Sequence, residues 1–426
     1  MHNGLIELGE VPREPPPVVD DPRPPLSGRV LLGALSLLLL PLLAAGGHRV
    51  PPRPPTVIPA RLGDTTYVAD GRLFVVGAGP ELRGSEVRNR IVGTYSLPEA
   101  KLLSLTTVAV SGRIYDVRQA GNTVVVAYQI NADGAQAVVA LTAGTDRALW
   151  RRAGGLIAVS AADRLVLLDT PEAETGVDLT AGTDRWSVPQ QAGGGVTEAG
   201  WADGYPRWLV STTGAGRLET RDARTATVLA STAVPVSAGA SEAVGDLVLS
   251  GIGPAGLTAY HLPDLTRRWR SDVDLSQSWT RTACGAAICA FRPEQGVTVL
   301  DPATGRRLWT AERWTFAEPA GPYLIATVAE RGRGDPQQWI LDTATGRVLG
   351  DFGPWQALGP GPSPGLLYGK RDTPGAYVVW YGVLDPRTRQ PSILGAAQQV
   401  STDCRVAPDV LICRLVDASV AVWRLR

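Results

Sequence analysis

The chain has 426 residues, 44% of them apolar, and 41 basic side chains balance 41 acidic ones for a formal net charge of zero. That neutrality leaves no electrostatic footprint for nucleic acid, and 48 glycines with 34 prolines supply the turn density of an all-β fold with a large core. Only Lys101 and Lys370 are lysines, so the arginine excess reads as genome composition rather than as a binding surface.

Residues 1–29 are rich in proline and acid, with Glu7, Glu10, Glu14, Asp20 and Asp21 against Arg13, Arg23 and Arg29, and read as a disordered tail. Residues 30–47 carry no charge and run through Leu31, Leu32, Leu35, Leu37 and Leu43, close to the length needed to cross a bilayer as one transmembrane helix. The long segment before it favours an uncleaved signal anchor, while Ala44-Ala45-Gly46 offers a small-residue cleavage site, so both fates stay open. Arginines on the two flanks balance, and the positive-inside rule gives no orientation. Residues 48–55, with Pro51-Pro52-Arg53-Pro54-Pro55, form a stiff, extended spacer.

Beyond the spacer one phrase recurs. Leu300-Asp301-Pro302-Ala303-Thr304-Gly305-Arg306-Arg307-Leu308-Trp309 returns as Leu341-Asp342-Thr343-Ala344-Thr345-Gly346-Arg347-Val348-Leu349, with weaker echoes at Leu97, Leu141, Leu179, Arg221, Leu262 and Leu384. A period of about 38 to 44 residues marks stacked supersecondary units. Within each unit an alternating apolar run such as Val297–Leu300 reads as a strand, a polar turn follows, and Arg307-Leu308-Trp309 starts the return strand. Asp301, Asp342 and Asp385 accept backbone hydrogen bonds in their turns, and Gly305 and Gly346 supply the positive φ that closes them. Trp150, Trp186, Trp269 and Trp309 stand on return strands, where each can bury about 150–250 Å² against a neighbouring sheet. Two further strand signals per unit, as at Thr66–Ala69 with Arg72–Val76, make four strands per unit.

These residues resemble the propellers with pyrroloquinoline-quinone-type repeats, whose blades carry Leu-Asp-x-x-Thr-Gly-x-x-x-Trp. The resemblance covers residues 56–426, is closest at 300–309 and 341–349, and implies an eight-bladed β-propeller of four-stranded antiparallel blades. The tail Val420–Leu425 adds a ninth third-strand candidate, so nine blades, and seven, are the other counts considered. Propellers close by letting one terminus complete the other's blade, which assigns Thr56-Val57-Ile58 as the outer strand beside that tail.

Cys284 with Cys289 and Cys404 with Cys413 bracket the tips of two predicted hairpins, where facing strand positions lie within disulfide range. Two local disulfides place the propeller outside the cytoplasm and the amino terminus inside. A metal site would need ligands from distant blades and finds no histidine nearby.

No chemistry stands out. His261 is the only histidine of the propeller and sits where a strand runs into a turn; no catalytic triad forms around it. Carboxylate pairs such as Asp272 with Asp274 and Glu172 with Glu174 read as solvated loop charges, and Gly193-Gly194-Gly195 lacks the lysine and helix of a phosphate cradle. The resemblance also implies a quinone-dependent dehydrogenase as an alternative, or a ligand sensor. The chain has no adjacent cysteine pair and no matching calcium ligands, so no catalytic, cofactor or metal residue is assigned. Trp201, Trp208, Trp279, Trp314, Trp355 and Trp380 lie off the repeat, as core or as interface anchors. The expected function is therefore a membrane-tethered, extracytoplasmic, monomeric propeller that binds unknown proteins of the bacterial cell envelope, without catalysis and without nucleic acid.

Overall fold

The computed structural model describes residues 54–79, 87–130, 134–190, 195–235, 241–253, 256–292, 296–328 and 337–425, all within the unit Arg53–Arg426. The expectations placed on residues 1–29, 30–47 and 48–53 fall outside these residues, and among the described residues no helix is long and apolar enough to cross a membrane.

Nine four-stranded antiparallel sheets form the unit, so the expected count of eight blades is corrected to nine. Blades one to eight span residues 65–110, 113–153, 155–189, 196–233, 242–271, 280–311, 316–351 and 356–398, each a meander in sequence order. Blade nine takes residues 400–424 and borrows its outer strand from Thr56–Ile58. The miscount has a physical origin. The recurring turn joins a blade's third strand to its fourth, and blade nine receives its fourth strand from the other end of the chain. Eight turns therefore belong to nine blades.

The closure expected from the sequence is present. Thr56 pairs with Val422, Val57 with Ala421 and Ile58 with Val420. Ile58 is buried among Leu73, Val75, Val410, Ile412 and Val422. Two arginines of blade nine clasp the same seam. Arg405 donates to the Thr66 carbonyl at 3.0 Å, and Arg414 donates to the carbonyls of Asp64 at 2.6 Å and Ala418 at 2.8 Å.

The core lies between blades rather than within one. The second strand of blade two, Thr123–Gln129, is apolar at nearly every position because both its faces are covered. Val124 and Val126 pack with Phe74 and Val92 of blade one, whereas Val125 and Ala127 pack with Val166 and Leu168 of blade three. Every blade is thus a wall shared by two cores.

The recurring turn locks neighbouring blades. Asp301 accepts hydrogen bonds from the Ala303 N–H at 2.9 Å and the Thr304 hydroxyl at 2.7 Å, which hold its carboxyl below the usual range. Asp342 binds Thr345 in the same way, through N–H and hydroxyl, and Asp385 caps Arg387 N–H at 2.9 Å. In all eight blades that carry the turn, the ladder of the third and fourth strands shifts register beside it, a bulge built into the repeat. The indole N–H of each repeat tryptophan reaches into the next blade's turn: Trp150 to Leu179 O, Trp186 to Arg224 O, Trp269 to Pro302 O and Trp309 to Thr343 O, at 2.7–2.9 Å.

Glycine in the turn answers two demands at once. Gly182, Gly305 and Gly346 have φ of 69°, and a Cβ there would collide with Trp150, Trp269 and Trp309 respectively. Other blades hold the same left-handed position with Ala226, Leu265 and Arg389, and the preceding blade yields instead. Trp186 leans back over Gly176 of its own sheet, and Arg389 lies on Gly350 and donates to Leu349 O at 3.0 Å. The turn hydrogen bonds also correct the sequence alignment. Ser96, Asp178 and His261 are the counterparts of Asp301, so the echoes assigned to Leu97, Leu179 and Leu262 stand two residues late.

Candidate functional site

First strands of successive blades run the same way around the ring, so the connections divide between two faces. One face carries the hairpin turns from first to second and from third to fourth strands; we call it the turn face. The other carries the second-to-third loops and the links between blades, and is the loop face. Because Thr56–Ile58 runs antiparallel to Val420–Arg424, the chain enters the ring at the turn face.

Exposed apolar groups separate by face. Among the described residues, Leu62, Ile130, Trp279, Phe316, Tyr377 and Val416 stand on the loop face, with Leu62 91% and Trp279 60% exposed. Trp201 stands on the turn face, with Val228 and Val348 at the strand starts beside it, and the remainder, such as Leu102, Leu103, Leu105 and Ile393, lie on outermost strands. Of the six tryptophans off the repeat, Trp201 and Trp279 are exposed, Trp208 and Trp380 are half-buried, and Trp314 and Trp355 are core. Arg313 lies between the rings of Trp314 and Trp339, 4.6 and 4.7 Å from their centres.

A cavity of about 530 Å³ opens on the loop face between blades one and two. Its walls come from strand ends. Thr65 begins the first strand of blade one, Arg88 and Arg90 begin its third strand, and Arg113 begins the first strand of blade two. Thr65 and Arg113 also line a second cavity of about 280 Å³ that continues across the closure seam to Arg405, Arg414, Asp64 and Asp403. On the turn face a cavity of about 640 Å³ spans blades one to four, and its charges cancel: Arg72, Arg207 and Arg224 face Asp70, Asp163 and Asp203. Arg224 is held by Asp163 at 2.8 Å.

Glu174 overturns the expectation of a solvated loop charge. It lies in the third strand of blade three, Ala173–Asp178, and is 1% exposed. Its carboxyl faces Glu198 of blade four, with Asp169 nearby, and burial together with those two carboxylates pushes its pKa up to about 9. Desolvation also raises Glu198 and Asp169, and Gln190 donates to Asp169 Oδ1 at 2.6 Å. A signal for this group was in the sequence. With the turn aligned on Asp178, Glu174 takes the position of Val138, Leu218, Leu257 and Val297, all fully buried apolar residues. Reading the echo two residues late hid the substitution.

The cysteines pair as expected, Cys284 with Cys289 at a Cα separation of 5.9 Å and Cys404 with Cys413 at 4.1 Å. Both bridges lie in the cores between blades rather than on an open face. His261 bonds Asp264 at 3.1 Å inside its own turn. Asp274 caps the Ser276 N–H, and Asp272 lines a shallow cavity at the edge of blade six. Of Gly193-Gly194-Gly195 only Gly195 lies within the described residues. No adjacent-cysteine ring is present, and among the described residues no group of three His, Cys, Asp or Glu side chains is placed to hold a metal ion.

Strand order and closure define a nine-bladed β-propeller with a charged cavity on its loop face. No protein family and no curated protein sequence matches the chain. It is similar to the solved structure of BamB from Moraxella catarrhalis at 14% identity, over 87% of this chain and 97% of that one, with a TM-score of 0.42. It is also similar to the computationally designed Ika8 protein, at 14% identity over 74% and 98% with a TM-score of 0.43. A third similarity is to the dihydro-heme d1 dehydrogenase NirN, at 13% identity over 70% and 74% with a TM-score of 0.39.

Proposed function

We propose that this chain is a membrane-tethered β-propeller that presents its loop face to partner proteins outside the cytoplasm, as a binding or scaffolding module of the cell envelope without catalysis of its own. The observation that carries this reading is the partition of exposed apolar groups among the described residues, six on the loop face against Trp201, Val228 and Val348 on the turn face. Exposed aromatic and large aliphatic side chains on loops held by a rigid ring are the usual anchors of a protein interface. The proposed tether is the uncharged segment 30–47, and the first described strand, Thr56–Ile58, enters the ring at the turn face. Two disulfides support an oxidising compartment.

Photo-crosslinking in intact cells tests the reading. Photoreactive residues at Leu62, Trp279 and Tyr377 are expected to capture protein partners, and the same groups at Thr225 and Thr304 on the turn face are not. Capture from the turn face alone contradicts the assignment. Free thiols at the four cysteines in protein from native cells contradict the compartment.

A further inference from the structure

We infer that the cavity between blades one and two is an anion-binding site that receives the carboxylates of an acidic, apolar-flanked peptide segment; this rests on the loop-face reading above and names the chemistry of the partner. Three guanidinium groups, Arg88, Arg90 and Arg113, line the cavity, and among the described residues no carboxylate does. The chain as a whole is balanced, 41 against 41, so three cations in one cavity are a local concentration, with the Asp64 carboxylate against Gly77 at its edge. Other arginines do find a carboxylate: Arg118 with Asp116, Arg185 with Asp178, Arg221 with Glu219 and Arg281 with Glu242. Arg88, Arg90 and Arg113 have no ion pair among the described residues. Arg90 is half-buried, which weakens its hydration and strengthens its attraction for an anion.

The surroundings fit a peptide better than a free ion. The cavity continues through Thr65 and Arg113 across the seam, where Arg405 and Arg414 are already occupied by backbone carbonyls and Asp64 and Asp403 add negative charge. A ligand therefore meets a cationic end over blades one and two and a mixed end over blade nine. Two exposed apolar residues adjoin the cavity wall through their backbones. Leu62 adjoins Gly63 in the cavity wall, and the Ile130 carbonyl lies against Gly112. A strand of alternating acidic and apolar residues pairs carboxylates with guanidinium forks and apolar groups with Leu62 and Ile130.

The test uses the full chain in detergent and fluorescence anisotropy of a labelled octapeptide of alternating glutamate and leucine. The peptide is expected to bind, to weaken as salt rises, and to lose at least about tenfold in affinity with Arg90→Gln combined with Arg113→Gln. Arg90→Lys, which keeps the charge, should retain most of the binding, and unchanged melting of each variant shows that the ring is intact. An octapeptide of alternating lysine and leucine should not bind. Inorganic phosphate should compete only weakly. Binding insensitive to these arginines overturns the site, and so does phosphate or an RNA oligonucleotide occupying it more tightly than the peptide. Loss of peptide binding while the loop-face crosslinks persist sinks this inference alone, whereas loss of those crosslinks sinks the broader reading.

Discussion

At the scale of single residues, the coupling between tryptophan and turn glycine makes a prediction that separates two costs. Gly71 and Gly346 have φ of 68° and 69°, but a Cβ meets nothing at Gly71 and lies 2.6 Å from Trp309 at Gly346. Gly71→Ala should cost about 1 kcal/mol of backbone strain, and Gly346→Ala about 2–4 kcal/mol because overpacking adds to it. Equal denaturation midpoints for the two variants would contradict the docking of Trp309. Glu174 gives a pH dependence. Its folded pKa of about 9 lies above the ordinary value of 4.5, so between those values the folded chain holds a proton that the unfolded chain has released. Its contribution is fully present below the unfolded pKa and is lost as pH rises toward 9, by at most about 1.4 kcal/mol per unit. Glu174→Gln should therefore raise the melting temperature at pH 8 and change it little at pH 5. A benefit that grows toward acid would refute this account of the pair. The residue was readable only through the repeat register, since nothing in Glu172-Ala173-Glu174 itself distinguishes a buried carboxyl from a loop charge.

At the scale of elements, the hairpins announce themselves and the partners of their side chains do not. Asp301 and Gly305 were legible because a turn is a local object whose chemistry lies within five residues. The two disulfides were legible for the same reason, each closing a short hairpin. Removing either bridge, as Cys284→Ser with Cys289→Ser or Cys404→Ser with Cys413→Ser, should cost about 2–3 kcal/mol, the loop-closure entropy of so short a segment. Thermal denaturation with and without reductant measures it, and no shift in melting would mean that the bridges constrain nothing. The arginine cavity was not legible. Arg88, Arg90 and Arg113 are separated by a blade edge and a loop in sequence, and only the packing of blade two against blade one brings them to one opening.

At the scale of the molecule, repetition made the architecture readable and closure made its count hard to read. Eight turn echoes give eight blades unless the last blade is completed by the first strand of the ring, which is the arrangement Thr56–Ile58 adopts. Closure also places the ends of the folded unit side by side, so Thr56–Ile58 and the last strand share one blade. Deleting residues 54–58 should leave Val420–Arg424 as an unpaired edge and lower the melting temperature of the whole ring, because blade nine covers the cores of blades one and eight. Hydrogen exchange of the intact chain tests the closed nine-bladed ring most directly. The amides of Val420–Arg424 are predicted to be as protected as those of the inner strand Val410–Leu415, with strand Thr56–Ile58 protected alongside them. Rapid exchange of Val420–Arg424, at the rate of a frayed edge while Val410–Leu415 stays protected, would contradict the closure and with it the ninth blade.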